Sequence, residues 1–313
     1  MRFVFRRIAF FVTFLIKNVG GIFMKKLGMV AMAILLGASV LTGCGKNTAT
    51  VNESAAASSE SISVTAEEFD LTSDGKKIYG MMYKPEDGKE KHPTVVLCHG
   101  YNTNADMLDG YGKSWAKKGY LCYAFDFCGG SIGSRSEGSS LDMSVLTEVQ
   151  NLSDVMDQLL TLDYVDSSNF FLMGQSQGGF VAALTAAKRS EQVKALVLYF
   201  PALSIPEGRR ALYSSLDEVP DEEEIMGMTI GRKYTEDAFN LDAYEEISKY
   251  HGDVLICHGD KDQVVDLSYS EKAVEVYDHA ELKVIEYAEH GFQAKTAKKA
   301  TEYTLEFLDA HLD

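Results

Sequence analysis

The sequence predicts an α/β protein: a mostly parallel central sheet with helices on both faces and a small inserted lid. Three observations carry that expectation. Short, continuously apolar runs such as "TVVLCHG" and "VKALVLYFP" read as strands buried on both faces. Segments of helical spacing separate them. The alternation runs from about residue 63 to the end, with one break at 201–250.

In chain order, "VTAEEFDL" and "KKIYGMMYKP" flank a Ser-Asp-Gly turn and read as an antiparallel pair at the leading edge of the sheet. "TVVLCHG" is a buried strand, "MLDGYGKSWAKKG" a helix and "YLCYAFDF" the next strand. Over 143–162, Val145, Val149, Leu152, Met156 and Leu159 share one helical face. "NFFLMG" follows as a strand, "GGFVAALTAAKR" as a helix and "VKALVLYFP" as a strand. The chain closes with "DVLICHG" (strand), "YSEKAVEVYDH" (helix), "ELKVIEYA" (strand) and the helix "KTAKKATEYTLEFLDAHL". Residues 201–250, which hold "DEVPDEEE", interrupt the order just before "DVLICHG". An insertion there sits over the carboxyl ends of the strands, where ligands bind in open α/β sheets, and reads as a lid.

The N-terminus is different in kind. Residues 1–43 carry six basic residues and no acidic one. Within them, "MKKLGMVAMAILLGASVLTGC" from Met24 to Cys44 follows the basic, apolar and small-residue plan of an export signal. Leu41-Thr42-Gly43-Cys44 looks like the lipobox of bacterial lipoproteins, which implies a diacylglycerol on Cys44 and an extracytoplasmic, cell-membrane lipoprotein. An uncleaved membrane helix is the weaker alternative, because the apolar run is short for a span. Residues 1–23 duplicate the basic-then-apolar pattern, so Met24 is the expected translation start. Residues 44–62 are small and polar and read as a flexible tether, leaving 63–313 as the folded domain.

Removing residues 1–43 leaves 24 basic against 46 acidic residues, a net charge near −22. Such a surface repels nucleic acid and anionic bilayers, so membrane contact is expected only through the lipid anchor. Cys98, Cys122, Cys128 and Cys257 match no metal-ligand spacing and read as buried thiols, with a Cys122–Cys128 bridge as the alternative in an exported chain. No metal site is expected.

Gly-x-Ser-x-Gly occurs twice, around Ser131 ("GGSIG") and around Ser176 ("GQSQG"). A nucleophile elbow needs a strand, a tight turn and then a helix, which holds the serine in a strained backbone at the helix N-terminus. "FFLM" and "FVAALTAA" supply both elements around Ser176. Ser131 is followed by "GSRSEGSS", which is loop chemistry, and reads as a decoy.

A serine hydroxyl needs a base, itself oriented by an acid, in the order Ser, Asp or Glu, His for this arrangement. That order leaves three of the seven histidines, namely His279, His290 and His311. His279 and His311 fall at helix ends, whereas His290 in "EYAEHGF" follows the last strand and is the expected base. The loop "DKDQVVD" offers Asp260, Asp262 and Asp266 as the acid. Asp262 is preferred, since Asp260 suits backbone donors in the turn, but spacing alone leaves those two open. The expected oxyanion donors are the main-chain N–H groups of Gln177 and of Tyr101 in "HGYNTN", with His99 bracing that loop.

The motifs "LCHGYNTN", "YAFDFCGGS", "GQSQGG", "HGDKDQVV" and "AEHGF", in that order over residues 94–292, resemble the α/β-hydrolase superfamily. Within it they are similar to bacterial feruloyl (cinnamoyl) esterases and related carboxylesterases. The resemblance implies the α/β-hydrolase fold over about 63–313, no cofactor, and a small lid at 201–250 lining the acyl pocket. It implies that the acid is the second aspartate of His-Gly-x-x-Asp, which is Asp262. Gln175 stands where the family often has histidine, and "DFCGGS" departs from the commoner Asp-Phe-x-Gly-His-Gly.

The expected function is a serine carboxylesterase acting on small-molecule esters, of small or aromatic acids, through an acyl-enzyme. A peptidase (including an aminopeptidase) or an acyltransferase on the same fold is the near alternative. A non-catalytic surface binding lipoprotein is the alternative from another class.

Overall fold

The computed structural model describes residues 62–313; the export-signal region, Cys44 and the tether up to residue 61 lie outside the described residues. The first half of the described chain contains β1 (Ser63–Glu68), β2 (Leu71–Ser73), β3 (Lys76–Ile78), β4 (Gly80–Glu86), β5 (His92–Cys98) and α1 (Asp109–Ala116). Then come β6 (Leu121–Phe125), α2 (Val145–Leu159), β7 (Val165–Gln175), α3 (Gln177–Lys188) and β8 (Ala195–Tyr199). Residues 201–250 fold as α4 (Ile205–Leu212), a hairpin of β9 (Glu222–Ile225) and β10 (Met228–Gly231), α5 (Arg232–Phe239) and α6 (Ala243–Ile247). The chain ends with β11 (Asp253–Gly259), α7 (Ser268–Val276), β12 (Ala280–Ile285) and α8 (Lys295–Ala310).

Eight strands make one sheet in the order β1-β4-β6-β5-β7-β8-β11-β12. From β6 to β12 all neighbours are parallel. The leading edge is antiparallel, with Ser63 opposite Glu86, but the Ser-Asp-Gly turn does not join that pair. It joins β2 to β3, a separate ladder turning through Asp74 and Gly75, both at positive φ. The apolar alternation of the strands is real on both faces. On β5, Val96 and Cys98 face the core shared with α2, α3 and α7, whereas Val95 and Leu97 face that shared with α1 and α8. Cys98, Cys122, Cys128 and Cys257 are all free and buried, so Cys122 and Cys128 are not bridged.

Chain order reverses at β5, which has β6 on one side and β7 on the other. The loops leaving the carboxyl ends of β5 and β7 therefore part there and open a crevice. The inserted residues close over it and are stitched to the body. Tyr101 Oη donates to the Ile225 carbonyl at 3.1 Å, Ser140 Oγ to the Thr229 carbonyl at 2.6 Å, and Ser144 Oγ to Asp237. At the far end, Ile247 of α6 and Tyr250 belong to the sheet core, so the last part of 201–250 packs as body.

Candidate active site

Ser176 stands between β7 and α3 with φ 53° and ψ −119°, a strained conformation for a residue with a Cβ. The strain is held by the main chain. Its N–H donates to the Tyr199 carbonyl, and its carbonyl accepts from Gly179, Phe180 and Ala202. Two flanking glycines allow this packing: a Cβ on Gly174 would sit 2.2 Å from the Gly178 carbonyl oxygen, and one on Gly178 would sit 2.2 Å from that of His99. Ser131, by contrast, lies in a turn between β6 and α2, with a buried hydroxyl that meets no partner among the described residues.

His290 Nε2 lies 3.0 Å from Ser176 Oγ, and His290 Nδ1 lies 2.7 Å from Asp262 Oδ2. The three side chains, separated by up to 114 positions in sequence, form one hydrogen-bonded line at the rim of the sheet. Asp262 also accepts from the backbone N–H groups of Val264 and Val265 through Oδ1, and His258 Nε2 lies 3.2 Å from Oδ2. Burial alone would raise this carboxyl, but the bonds from His258 and His290 outweigh it and hold the group well below the usual carboxylate range. With Asp262 ionised, the Nδ1 of His290 carries the proton and Nε2 is left to accept from the serine. Phe200 packs edge-on against the His290 ring, with centroids 4.7 Å apart, and fixes its plane.

The other residues considered from the sequence fall elsewhere. Asp260 Oδ1 accepts from the Tyr287 N–H, and Asp266 accepts from the N–H and hydroxyl of Ser268 at the start of α7. His311 Nδ1 bonds to the Phe307 carbonyl in α8, and the His279 carbonyl accepts from Val254 at the opposite end of β11.

The main-chain N–H groups of Tyr101 and Gln177 donate to no group among the described residues. Both line the same cavity as Ser176, and Gly100, next to Tyr101, packs against the Ser176 side chain. His99 is fully buried behind this loop. Its Nε2 accepts from the Phe127 N–H at 3.1 Å, which leaves Nδ1 to donate to the Gly100 carbonyl at 2.8 Å. Burial lowers its proton affinity, in keeping with a neutral brace.

The cavity has a volume of about 250 Å³. Ile205, Leu212, Ile225, Met226, Val264 and Val265 make its apolar wall, and Tyr234 and Arg209 its polar end. Arg209 pairs with Glu223, stacks near Tyr213 and Tyr234, and keeps a buried Nε–H without an acceptor among the described residues. No cluster of metal-ligating side chains occurs among the described residues.

Sequence reasoning did not single out Glu148, Arg209, Tyr234 or the second histidine, His258. One signal was available: Glu148 lies three residues after Val145 and four before Leu152, so it interrupts the apolar stripe of α2.

A family model described as serine aminopeptidase, S33, matches residues 89–231. A curated relative, an uncharacterized 31.7 kDa protein of Escherichia coli, is 24% identical over 118 residues, and the match covers 40% of that protein's length. Among solved structures, Est1E from Butyrivibrio proteoclasticus with bound ferulic acid is similar at TM-score 0.72 and 25% identity, over 78% of this chain and 98% of that one. DcsB in complex with its substrate analogue is similar at TM-score 0.68 and 21% identity, over 80% of this chain and 100% of that one.

Proposed function

We propose, on the premise that the chain is a serine hydrolase of the α/β-hydrolase fold, that it is a carboxylesterase whose nucleophile, base and acid are Ser176, His290 and Asp262. The observation that supports this most is the continuous line from Asp262 Oδ2 through His290 to Ser176 Oγ. Ser176 Oγ attacks the ester carbonyl carbon as its proton passes to His290 Nε2. Asp262 balances the imidazolium, and the free amides of Tyr101 and Gln177 donate to the oxyanion. Each such donor is worth about 3 kcal/mol in the transition state. His290 then protonates the departing alcohol oxygen, and a water, activated by the same imidazole, releases the acid.

The cavity supports an acyl group of modest size that carries an oxygen, since Arg209 and Tyr234 stand in an otherwise largely apolar lining, under residues 201–250 as a lid. Ferulic acid, the ligand of the similar Est1E structure, has that shape. The test is an ester panel: feruloyl and coumaroyl esters should exceed the cinnamoyl ester, which lacks the ring oxygen, and Ser176→Ala should lose on the order of a millionfold in turnover. Residual activity above a few per cent in Ser176→Ala rejects the assignment.

A peptidase is the second reading, favoured by the description of the matching family model. Aminoacyl anilides turned over faster than p-nitrophenyl esters would select it. We further read Cys44 as the lipidated N-terminus of a mature extracytoplasmic membrane lipoprotein whose translation starts at Met24, supported by the motif at 41–44. A diacylglyceryl adduct on Cys44 in the mass spectrum is the expected finding; a peptide from residues 1–23 in the exported protein would refute it.

A further inference from the structure

Glu148 sits in the first turn of α2 with 1% of its surface exposed. Its Oε2 accepts from Gln177 Nε2 at 2.8 Å, and Gln177 Oε1 accepts from Tyr234 Oη at 2.7 Å. Gln177 and Tyr234 are equally sequestered, at 1% and 4%. A buried chain of polar groups therefore runs from α2, through the residue directly after Ser176, to α5 of the insertion. Glu148 Oε1 points to the same spot as the His99 ring: a Cβ on Gly130 would sit 3.1 Å from the first and 3.4 Å from the second.

The groups around this carboxyl offer it no positive charge. Cys98 and His99 face it from the end of β5, Tyr101 from the following loop, Cys128 from the loop after β6, and Tyr234 from α5. Burial pushes those thiols and phenols up and the imidazole down, so all are uncharged at neutral pH. Within the insertion, Arg209 pairs with Glu223 and Lys233 with Asp237. Burial accordingly pushes Glu148 up to about 8, against the smaller opposing effect of the Gln177 bond. Near neutrality it keeps its proton.

We propose that Glu148 is a proton-dependent positioning residue for the oxyanion donor, acting through Gln177: uncharged, it holds that residue in place, and ionised, it sets a buried negative charge behind the developing oxyanion and suppresses acylation and deacylation alike. The proposal rests on the assignment of the Gln177 main-chain N–H above. Charge builds on the substrate oxygen only in the transition state, so the penalty belongs to kcat rather than to KM.

The full chain, its Glu148→Gln variant and Ser176→Ala are compared with p-nitrophenyl acetate across pH. Wild-type kcat should fall about tenfold between about pH 7 and about pH 9 with KM little changed, and Glu148→Gln should stay level. The same alkaline fall in Glu148→Gln, or none in the wild type, overturns the proposal while leaving a Ser176-dependent esterase intact. Activity that survives Ser176→Ala overturns the parent assignment and this inference with it. Urea midpoints give a readout independent of turnover. A carboxyl raised in the folded state loses stability as pH climbs from its unfolded value to its folded one, so the advantage of Glu148→Gln over wild type should grow from about pH 5 to about pH 8 and then level off. A difference that is flat over that range overturns the proposal as well.

Discussion

His258 Nε2 lies 3.2 Å from Oδ2 of Asp262, the same carboxylate oxygen that His290 reaches. The Val265 carbonyl also accepts from His258 Nε2, so that nitrogen carries a proton, and Nδ1 lies 2.7 Å from the Ser270 hydroxyl. A fully buried imidazole thus braces the Asp262 carboxylate from the strand that precedes it. His258→Phe should lower kcat about tenfold, since a hydrogen bond to a charged group is worth about 1.5–3 kcal/mol. It should also cost about 1–3 kcal/mol in urea, because the Val265 carbonyl and Ser270 hydroxyl lose their partner. A variant with wild-type kcat and stability would remove His258 from the site.

Asp262 is ionised far below the ordinary carboxylate range in the folded state, so its contribution to stability is complete above the unfolded value of about 4 and is lost as pH falls toward the folded one. The stability gap between wild type and Asp262→Asn should therefore be widest near neutrality and close progressively in acid. Chemical denaturation at several pH values measures it. A gap that widens in acid would contradict the structure.

Ser176 pays a backbone penalty that glycine would not. Ser176→Gly should abolish ester turnover yet raise the unfolding free energy by about 1 kcal/mol, relief of strain exceeding the extra chain entropy of glycine. Differential scanning calorimetry on the two proteins decides it, and a destabilised glycine variant would mean that the elbow is not strained.

Gly178→Ala drives a methyl carbon to 2.2 Å from the His99 carbonyl oxygen, and both are main-chain neighbours with nowhere to retreat. The variant should lose more than about 3 kcal/mol of stability or fail to fold. Labelling by a fluorophosphonate should vanish with it. Normal labelling of a stable Gly178→Ala protein would refute the close approach of α3 to the β5 loop.

The thiols of Cys98, Cys122, Cys128 and Cys257 are all pushed up by burial, and the first, second and fourth are fully enclosed. Native protein at neutral pH should leave them unmodified by iodoacetamide, whereas denatured protein should take up one label at each. Peptide mass spectrometry reads each position separately.

The parts of the fold legible in the sequence are those set by local pattern. The runs at 94–100, 169–174, 193–201 and 253–259 have no polar face, so they can only be inner strands, and the structure places them at β5, β7, β8 and β11. Ser176 was separable from Ser131 because strand and helix flank one and not the other. The hairpin within 217–231 was hidden by its own composition: Glu222, Glu223 and Glu224 read as a charged loop, yet they lie on a strand turned by Met226 and Gly227, both at positive φ. The return of the chain to the core at Ile247 and Tyr250 was equally hidden, because two apolar side chains in a charged stretch make no periodic signal. Glu148, Tyr234 and Gln177 meet only in three dimensions, and no spacing along the chain announces contacts across 29 and 57 residues.

The insertion is fastened at both margins of the crevice: Tyr101 holds Ile225 on one side, and Ser144 and Gln177 hold Asp237 and Tyr234 on the other. Lifting residues 201–250 as a flap would have to break these bonds together. Heating should melt it together with the sheet in one cooperative endotherm, and passage in and out of the cavity should follow a fixed mouth. Turnover should then be indifferent to added solvent viscosity.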